Sequence, residues 1–83
     1  MIASNYSDLI GQVLGQLADE GLISGSVLVT GTTGWIITMD DRVSVSVTCR
    51  AGRMSVGDVV LGWFWGDWAP ALGEQLRTVL GAA

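Results

Sequence analysis

The side chains that most often act as general bases or form Schiff bases are missing, because the 83-residue chain has no histidine and no lysine. The nucleophiles that remain are Cys49 and the serines at positions 44 and 46. Cys49 has no histidine to activate it and lies on the apolar phase of an alternating segment, which favours a buried, inert thiol. Ser44 and Ser46 alternate like surface strand residues. These observations predict that the protein is not an enzyme.

Carboxylates are the other groups that could do chemistry. Asp40, Asp41 and Asp58 lie at the ends of predicted strands, where they could approach one another and hold a divalent cation. Their spacing matches no EF-hand or other run of ligands, and acidic residues are common in solvated turns. We therefore predict no metal and no cofactor, and a small metal-binding or enzymatic domain is the third hypothesis in rank.

The most distinctive segment is the run from Val59 to Trp68, which holds three of the four tryptophans and the single phenylalanine. As an extended strand it would be apolar on both faces. One face would carry Val59, Leu61, Trp63 and Trp65, and the other would carry Val60 and Phe64. Such a strand needs a cover on both faces, or its outer face meets a partner. Two interpretations stay open: the rings fill a small core, which is favoured, or some of them form an exposed aromatic patch.

The composition predicts one domain over residues 1–83. Charged residues make up 14% of the chain, whereas about 25% is usual, so the surface repels neighbours weakly and a homodimer is a reasonable expectation. Eight acidic residues against four arginines give a net charge of −4. The arginines are scattered along the sequence, which argues against direct contact with nucleic acid and suits a basic protein partner.

The sequence also gives indications of location. A single cysteine excludes a disulfide within the chain and is compatible with a reducing cytosol. The first residues show no basic segment followed by an apolar run, so we expect no signal peptide. The longest apolar run, Val59 to Trp65, is far shorter than the roughly 20 residues of a membrane-spanning helix. The expectation is a cytoplasmic protein without a membrane segment.

Hydrophobic periodicity predicts the elements that position these residues. Intervals of three and four predict helices over residues 5–20 and from about Trp68 to Leu80. Gly11 and Gly15 form a small-residue strip on the first helix. Each glycine costs up to about 1 kcal/mol relative to alanine, so we expect the strip to approach a sheet or another helix closely.

Between the helices the period becomes two, which predicts antiparallel strands over residues 26–31, 35–39, 43–50 and 58–65 with a loop at 51–57. The predicted fold is a single α+β domain: an N-terminal helix, a four-stranded antiparallel meander and a C-terminal helix, with both helices on one sheet face. The covered face is expected to bury Val27, Val29, Val43, Val45 and Val47. The opposite face is expected to carry Thr38, Ser44, Ser46, Thr48, Val60 and Phe64.

These features favour a small acidic, non-enzymatic protein-binding module that acts by occupying or inhibiting a larger partner. Aromatic side chains beside acids are suitable anchors at an interface. The candidate contact residues are Trp63, Trp65, Trp68, Asp58 and Asp67, with an acidic face of Asp19, Glu20, Asp40 and Asp41. Small acidic domains occur among phage and mobile-element inhibitors, anti-CRISPR proteins included, that block basic nucleic-acid-handling complexes. That comparison is with a class of proteins and rests on no shared motif.

The alternative is a structural role. The sheet face that carries Val60 and Phe64, or the Gly11/Gly15 strip, could pack against a second copy of the chain in a homodimer or an assembly subunit. A specialised chaperone is a variant of this hypothesis, because a small acidic α+β dimer can hold an extended segment of another protein against its sheet.

Overall fold

The computed structural model describes residues 2–82, with side chains from residue 6 onwards, and shows two helices and one sheet of five strands. The elements in chain order are α1 (Ile2–Asp19), β1 (Ser26–Thr30), β2 (Gly34–Met39), β3 (Val43–Arg50), β4 (Arg53–Val56), β5 (Val59–Trp63) and α2 (Ala69–Ala82). Each strand pairs antiparallel with the next, in the spatial order β1-β2-β3-β4-β5. The prediction of an α+β domain with an antiparallel meander between two helices is confirmed.

The number of strands was predicted wrongly, because residues 53–56 form β4 and are not part of a loop. Ala51 and Gly52 have positive φ angles of 53° and 79°, which is what a two-residue hairpin turn requires. The chain therefore reverses directly after β3 and pairs with it. β4 has only four residues and lies between Gly52 and Gly57. Its sequence therefore resembles a glycine-rich loop more than a strand.

Both helices pack on the same face of the sheet and run in the same direction. Near their N-terminal ends, the rings of Tyr6 and Trp68 meet edge to face, and beyond α1 Glu20 bonds to Arg77 of α2. The buried core is formed by α1, α2, the inward side chains of β2, β3 and β4, and two residues of the connecting segments, Ile23 and Trp68. Its members are Ile10, Val13, Leu14, Leu17, Ile23, Trp35, Ile37, Met39, Val47, Met54, Val56, Trp68, Leu72 and Leu76.

The first strand presents the opposite face from the one predicted. Val27 and Val29 are 54% and 55% exposed, on the sheet face that the helices leave open. In the register of β1 with β2, Leu28 lies opposite Ile37, a fully buried residue, so Leu28 faces the helices. Three consecutive apolar residues in β1 satisfy either phase of the alternation, and the pairing with β2 decides between them.

A bulge changes the alternation in β5. The register with β4 shifts between Met54 and Ser55, so that Val60 and Trp63 lie on the same, open face although they are three residues apart. Val60 was predicted on this face. Phe64 was also predicted there, which is wrong: its ring is partly buried and packs against the core, 6.0 Å from the ring of Tyr6.

The predicted close approach at Gly11 and Gly15 is also wrong. Both glycines are exposed, and a Cβ atom added at either would meet nothing within 4 Å. The helices approach each other at Gly73 instead, where an added Cβ atom would lie 3.7 Å from a methyl group of Val13.

Candidate binding surface

Two tryptophan rings stack on each other at the surface. The rings of Trp63 and Trp65 are 4.8 Å apart and nearly parallel, with 10° between their planes. Trp63 is the last residue of β5, and a turn closed by a 2.9 Å hydrogen bond from the Gly66 N–H to the Trp63 carbonyl brings Trp65 beside it. Trp63 is 44% exposed and Trp65 66% exposed. The pair forms a flat apolar surface in contact with solvent.

The β3–β4 turn supports this pair from below. A Cβ atom at Gly52 would lie 3.3 Å from the Trp65 ring and 3.4 Å from the Trp63 ring, so the rings rest on the bare backbone of the turn. The Phe64 N–H donates a 2.8 Å hydrogen bond to the Gly52 carbonyl. Phe64 also meets the Trp65 ring edge to face at 4.9 Å. These contacts connect the exposed pair to the core and hold its orientation.

Two arginines lie beside the tryptophans on the open face. The guanidinium carbon of Arg53 is 5.0 Å from the centre of the Trp63 ring, within cation–π range. Rings stacked this closely leave no room between them, so the guanidinium covers the face of Trp63 that Trp65 leaves free. Arg50 lies directly opposite Arg53, which lies opposite Trp63, so the three form one row across β3, β4 and β5. We call Arg50, Arg53, Trp63 and Trp65 the tryptophan–arginine corner.

The arginines of the corner have no carboxylate beside them. Within residues 2–82, the one ion pair with nitrogen and oxygen atoms within 4.0 Å joins Arg77 to Glu20. Sequence reasoning missed Arg50 and Arg53 because it treated the four arginines as scattered along the chain. The signal that could have found them is the Ala51–Gly52 turn, since a two-residue hairpin turn places its flanking residues directly opposite each other.

Trp68 was predicted as a contact residue, and the structure corrects this. Its side chain is 2% exposed, and its indole N–H donates a 3.0 Å hydrogen bond to the Phe64 carbonyl. Trp35 is likewise buried and donates to the Ser7 hydroxyl at 2.9 Å. Tyr6 packs edge to face against both indoles at about 6 Å. Two tryptophans therefore belong to the core and two to the surface.

The structure separates one of the two acids that were predicted beside the tryptophans. Asp58 lies in the turn before β5, and Trp63 lies at the end of that strand. Five residues of strand correspond to roughly 16 Å, so Asp58 is not part of the corner. Asp67 is exposed and follows Trp65 by two positions.

The predicted acidic face lies at the other end of the molecule. One carboxylate oxygen of Asp40, in the β2–β3 turn, accepts hydrogen bonds from the Ser24 and Gly25 N–H groups at 2.7 and 2.9 Å. These bonds join the turn to the segment that leaves α1. Asp19 and Asp41 are also exposed at this end. The four predicted acids are thus gathered at one end, but Asp40 has a role within the fold.

Glu20 is also occupied within the chain. Its two carboxylate oxygens accept hydrogen bonds from Arg77, from Nη2 at 2.6 Å and from Nε at 3.1 Å. These bonds hold the pKa of the Glu20 carboxyl below its usual value and raise the pKa of Arg77. The pair connects the end of α1 to α2. Glu20 and Asp40 are bonded within the chain, so Asp19 and Asp41 are the better candidates for contact with a partner protein.

The open sheet face also carries an aliphatic patch, which we define as Val27, Val29 and Ile36. Each of these side chains is more than half exposed, and Val29 lies directly opposite Ile36 in the ladder. The centre of the face carries hydroxyl groups. There Thr38 and Ser44 lie within hydrogen-bond distance, 3.1 Å apart. Ser46 and Thr48 of β3 and Ser55 of β4 lie between the patch and the tryptophan–arginine corner.

The comparisons with known proteins do not assign a role to this surface. Comparison with protein-family models, with curated proteins and with solved structures gives no match for the chain. Across residues 2–82, no three histidine, cysteine or acidic side chains lie close enough together to hold a metal ion. In the same part of the chain, neither helix has the length and apolar character needed to cross a membrane.

Proposed function

We propose that this chain is a non-enzymatic protein-binding module of the cytoplasm, which acts by occupying or inhibiting a larger protein partner. The observation that carries the proposal is the exposed, stacked pair of Trp63 and Trp65. Tryptophan is strongly enriched among the residues that dominate binding energy at protein interfaces. The pair is therefore the best candidate anchor on this surface.

The exposed area is large enough to support binding. A tryptophan side chain can bury roughly 200 Å², and Trp65 is 66% exposed, which leaves roughly 130 Å² in solvent. Burial of that area yields about 3 kcal/mol at 25 cal/mol per Å². Trp63 adds to this, and the hydrogen bond between Phe64 and Gly52 already orders the segment. Binding then costs little conformational entropy.

Within this class we propose an inhibitor from a phage or mobile element, comparable in kind to anti-CRISPR proteins, whose target handles nucleic acid and is basic. The support is the small single domain, the net charge of −4 and the gathering of acids at one end. Such a surface favours encounter with a basic protein and disfavours direct contact with nucleic acid.

The anchor can be tested by affinity capture with the immobilised chain from a lysate of its source, quantified by mass spectrometry. Trp65→Ala should lose the partner that the wild type retains, because it removes the more exposed of the two indole rings. Ile36→Thr is the control: it changes another exposed apolar residue, 51% exposed, that lies outside the corner. Equal retention of the same proteins by Trp65→Ala and the wild type would refute the proposal.

The charge part of the proposal has its own test. Replacing Asp19 and Asp41 with asparagine removes two exposed charges and leaves the Glu20–Arg77 and Asp40 contacts in place. If the partner is basic, the double variant should associate more slowly at low salt, and the difference should diminish at high salt. An association rate equal to that of the wild type at low salt would exclude a basic partner at this end.

The second candidate function is a homodimer, an assembly subunit or a dimeric chaperone. The observation in its favour is the aliphatic patch, which an unpartnered monomer leaves in solvent. In this case sedimentation should show a dimer, and Val29→Thr combined with Ile36→Thr should produce a monomer. Threonine keeps the β-branched shape that strands favour. A wild-type monomer at high concentration would rule this function out.

A further inference from the structure

We infer that the tryptophan–arginine corner binds a short acidic segment of the partner protein that carries a ring side chain, either proline or an aromatic residue. This inference rests on the proposed function and specifies the chemistry of its partner. It differs from the expectation of a basic partner surface, which concerns the acidic end of the molecule.

The first argument is the charge of Arg50 and Arg53. Side chains directly opposite each other in an antiparallel pair have Cβ atoms roughly 5 Å apart, and like charges there destabilise the sheet. The chain has twice as many acidic residues as arginines, yet no carboxylate of residues 2–82 lies within 4.0 Å of either guanidinium. A guanidinium offers paired N–H donors that match a carboxylate. The row therefore presents two cations to an external anion.

The second argument is the geometry of the rings. Trp63 is covered on one face by Arg53 and on the other by Trp65, so Trp65 provides the larger free ring surface. Flat side chains stack on such a ring, and proline-rich segments bind aromatic surfaces in the same way.

The order of the row sets the spacing of the segment. Trp63 lies between the Arg53 guanidinium, at 5.0 Å, and the Trp65 ring, at 4.8 Å. An acidic residue and a ring residue three positions apart in a polyproline II segment lie on the same side and are separated by roughly 9 Å. That separation lets one group reach the arginines while the other stacks on Trp65.

The same chemistry occurs in single-stranded nucleic acid, where bases stack on aromatic rings and arginine binds phosphate. The charge balance favours the peptide. Nucleic acid needs a basic groove or patch that neutralises several phosphates, whereas this chain offers two adjacent arginines and a net charge of −4. A short segment with one or two carboxylates suits two guanidinium groups.

The probes that test this inference are a labelled peptide of alternating glutamate and proline, its counterpart with glutamine in place of glutamate, and an oligothymidylate of equal length. Each is titrated with the wild type while label anisotropy and tryptophan emission are recorded. The glutamate peptide should bind about tenfold more tightly than the glutamine peptide, since charged hydrogen bonds are the stronger ones. The difference should decrease with added salt.

Variants assign the effect to the corner. Arg50→Gln combined with Arg53→Gln should abolish the preference for glutamate, whereas Arg42→Gln, an exposed arginine at the other end of β3, should keep it. Trp65→Ala should weaken binding of both peptides, because both carry proline. A thermal melt of each variant checks that it is folded.

Other outcomes would overturn the inference. Equal affinity for the two peptides, no saturable binding of the glutamate peptide, or tighter binding of the oligothymidylate would each contradict an acidic protein segment. Its failure can be distinguished from failure of the proposed function in the capture experiment. If capture depends on Trp65 and not on Arg50 and Arg53, only the acidic segment is excluded. If capture does not depend on Trp65, the proposed function itself fails.

Discussion

Replacement of Gly11 and Gly15 by alanine should stabilise the protein. Both glycines lie in the interior of α1, are exposed, and have nothing within 4 Å of an added Cβ atom. Alanine fits there without displacing a neighbour, and it removes the backbone freedom that glycine has in the unfolded chain. The result would show that the small-residue strip is not a packing surface.

The expected gain follows from these two positions. Each replacement should add about 0.4–1 kcal/mol to the free energy of unfolding, so the double variant should gain about 1–2 kcal/mol. For a domain of this size, each kcal/mol raises Tm by roughly 4–8 °C. The double variant should therefore melt about 5–15 °C above the wild type.

Circular dichroism melts at several protein concentrations measure this gain. Gly73→Ala is the matched control in α2, because its added Cβ atom would lie 3.1 Å from the Arg77 guanidinium and would disturb it. It should gain less than Gly15→Ala. A lower Tm for the Gly11/Gly15 variant, or a gain that shrinks as concentration rises, would refute the reasoning. Such a result would place the strip in a contact between two copies of the chain.

Three further predictions concern the sheet, the tryptophans and the ion pair. Gly34→Ala should destabilise the fold by about 1–3 kcal/mol in denaturant titration, because its Cβ atom would overlap a backbone carbonyl oxygen of β3 that cannot rotate away; an unchanged midpoint would contradict this. Trp68→Ala should cost about 3–5 kcal/mol, whereas Trp65→Ala, at 66% exposure, should cost only about 0.5–1.5 kcal/mol through its lost ring contacts; similar losses for both would contradict the assignment of core and surface. The bonds to Arg77 lower the pKa of Glu20 in the folded chain from about 4.5. They therefore stabilise the fold above that pH. This stabilisation is lost as pH falls through the lowered pKa. Glu20→Gln should therefore reduce stability at neutral pH and remove the loss of stability that accompanies protonation of Glu20 below about pH 4.5; an unchanged pH profile would show that the pair contributes nothing.

The fold is predicted correctly where the local pattern of apolar residues is compatible with only one element and one buried face. In β3 the strict alternation from Val43 to Cys49 places the valines toward the helices and Ser44 and Ser46 on the open face, as observed. Apolar intervals in both helices likewise predicted the stripes that supply the core.

The predictions failed where a contact distant in the chain decides the outcome. The segment Val27–Val29 is apolar at every position, and its phase is set by the register with β2. The tryptophans divide between core and surface because Trp68 meets Tyr6 and Trp65 lies over Gly52, and neither partner is close in sequence. Local periodicity contains no information on these contacts.

The parallel direction of the two helices gives the molecule an electrical polarity. Their N-terminal ends, which carry partial positive charge, lie at the end of the molecule that carries the tryptophan–arginine corner, because Tyr6 of α1 contacts Trp68 and Phe64, and Phe64 contacts Trp65. Their C-terminal halves run toward the end where four of the eight acids are gathered. The molecule is therefore an electric dipole along its length, and an approaching charged protein exerts a torque that orients it before contact. For the charged partner proposed above, this polarity would determine which end of the molecule makes contact first.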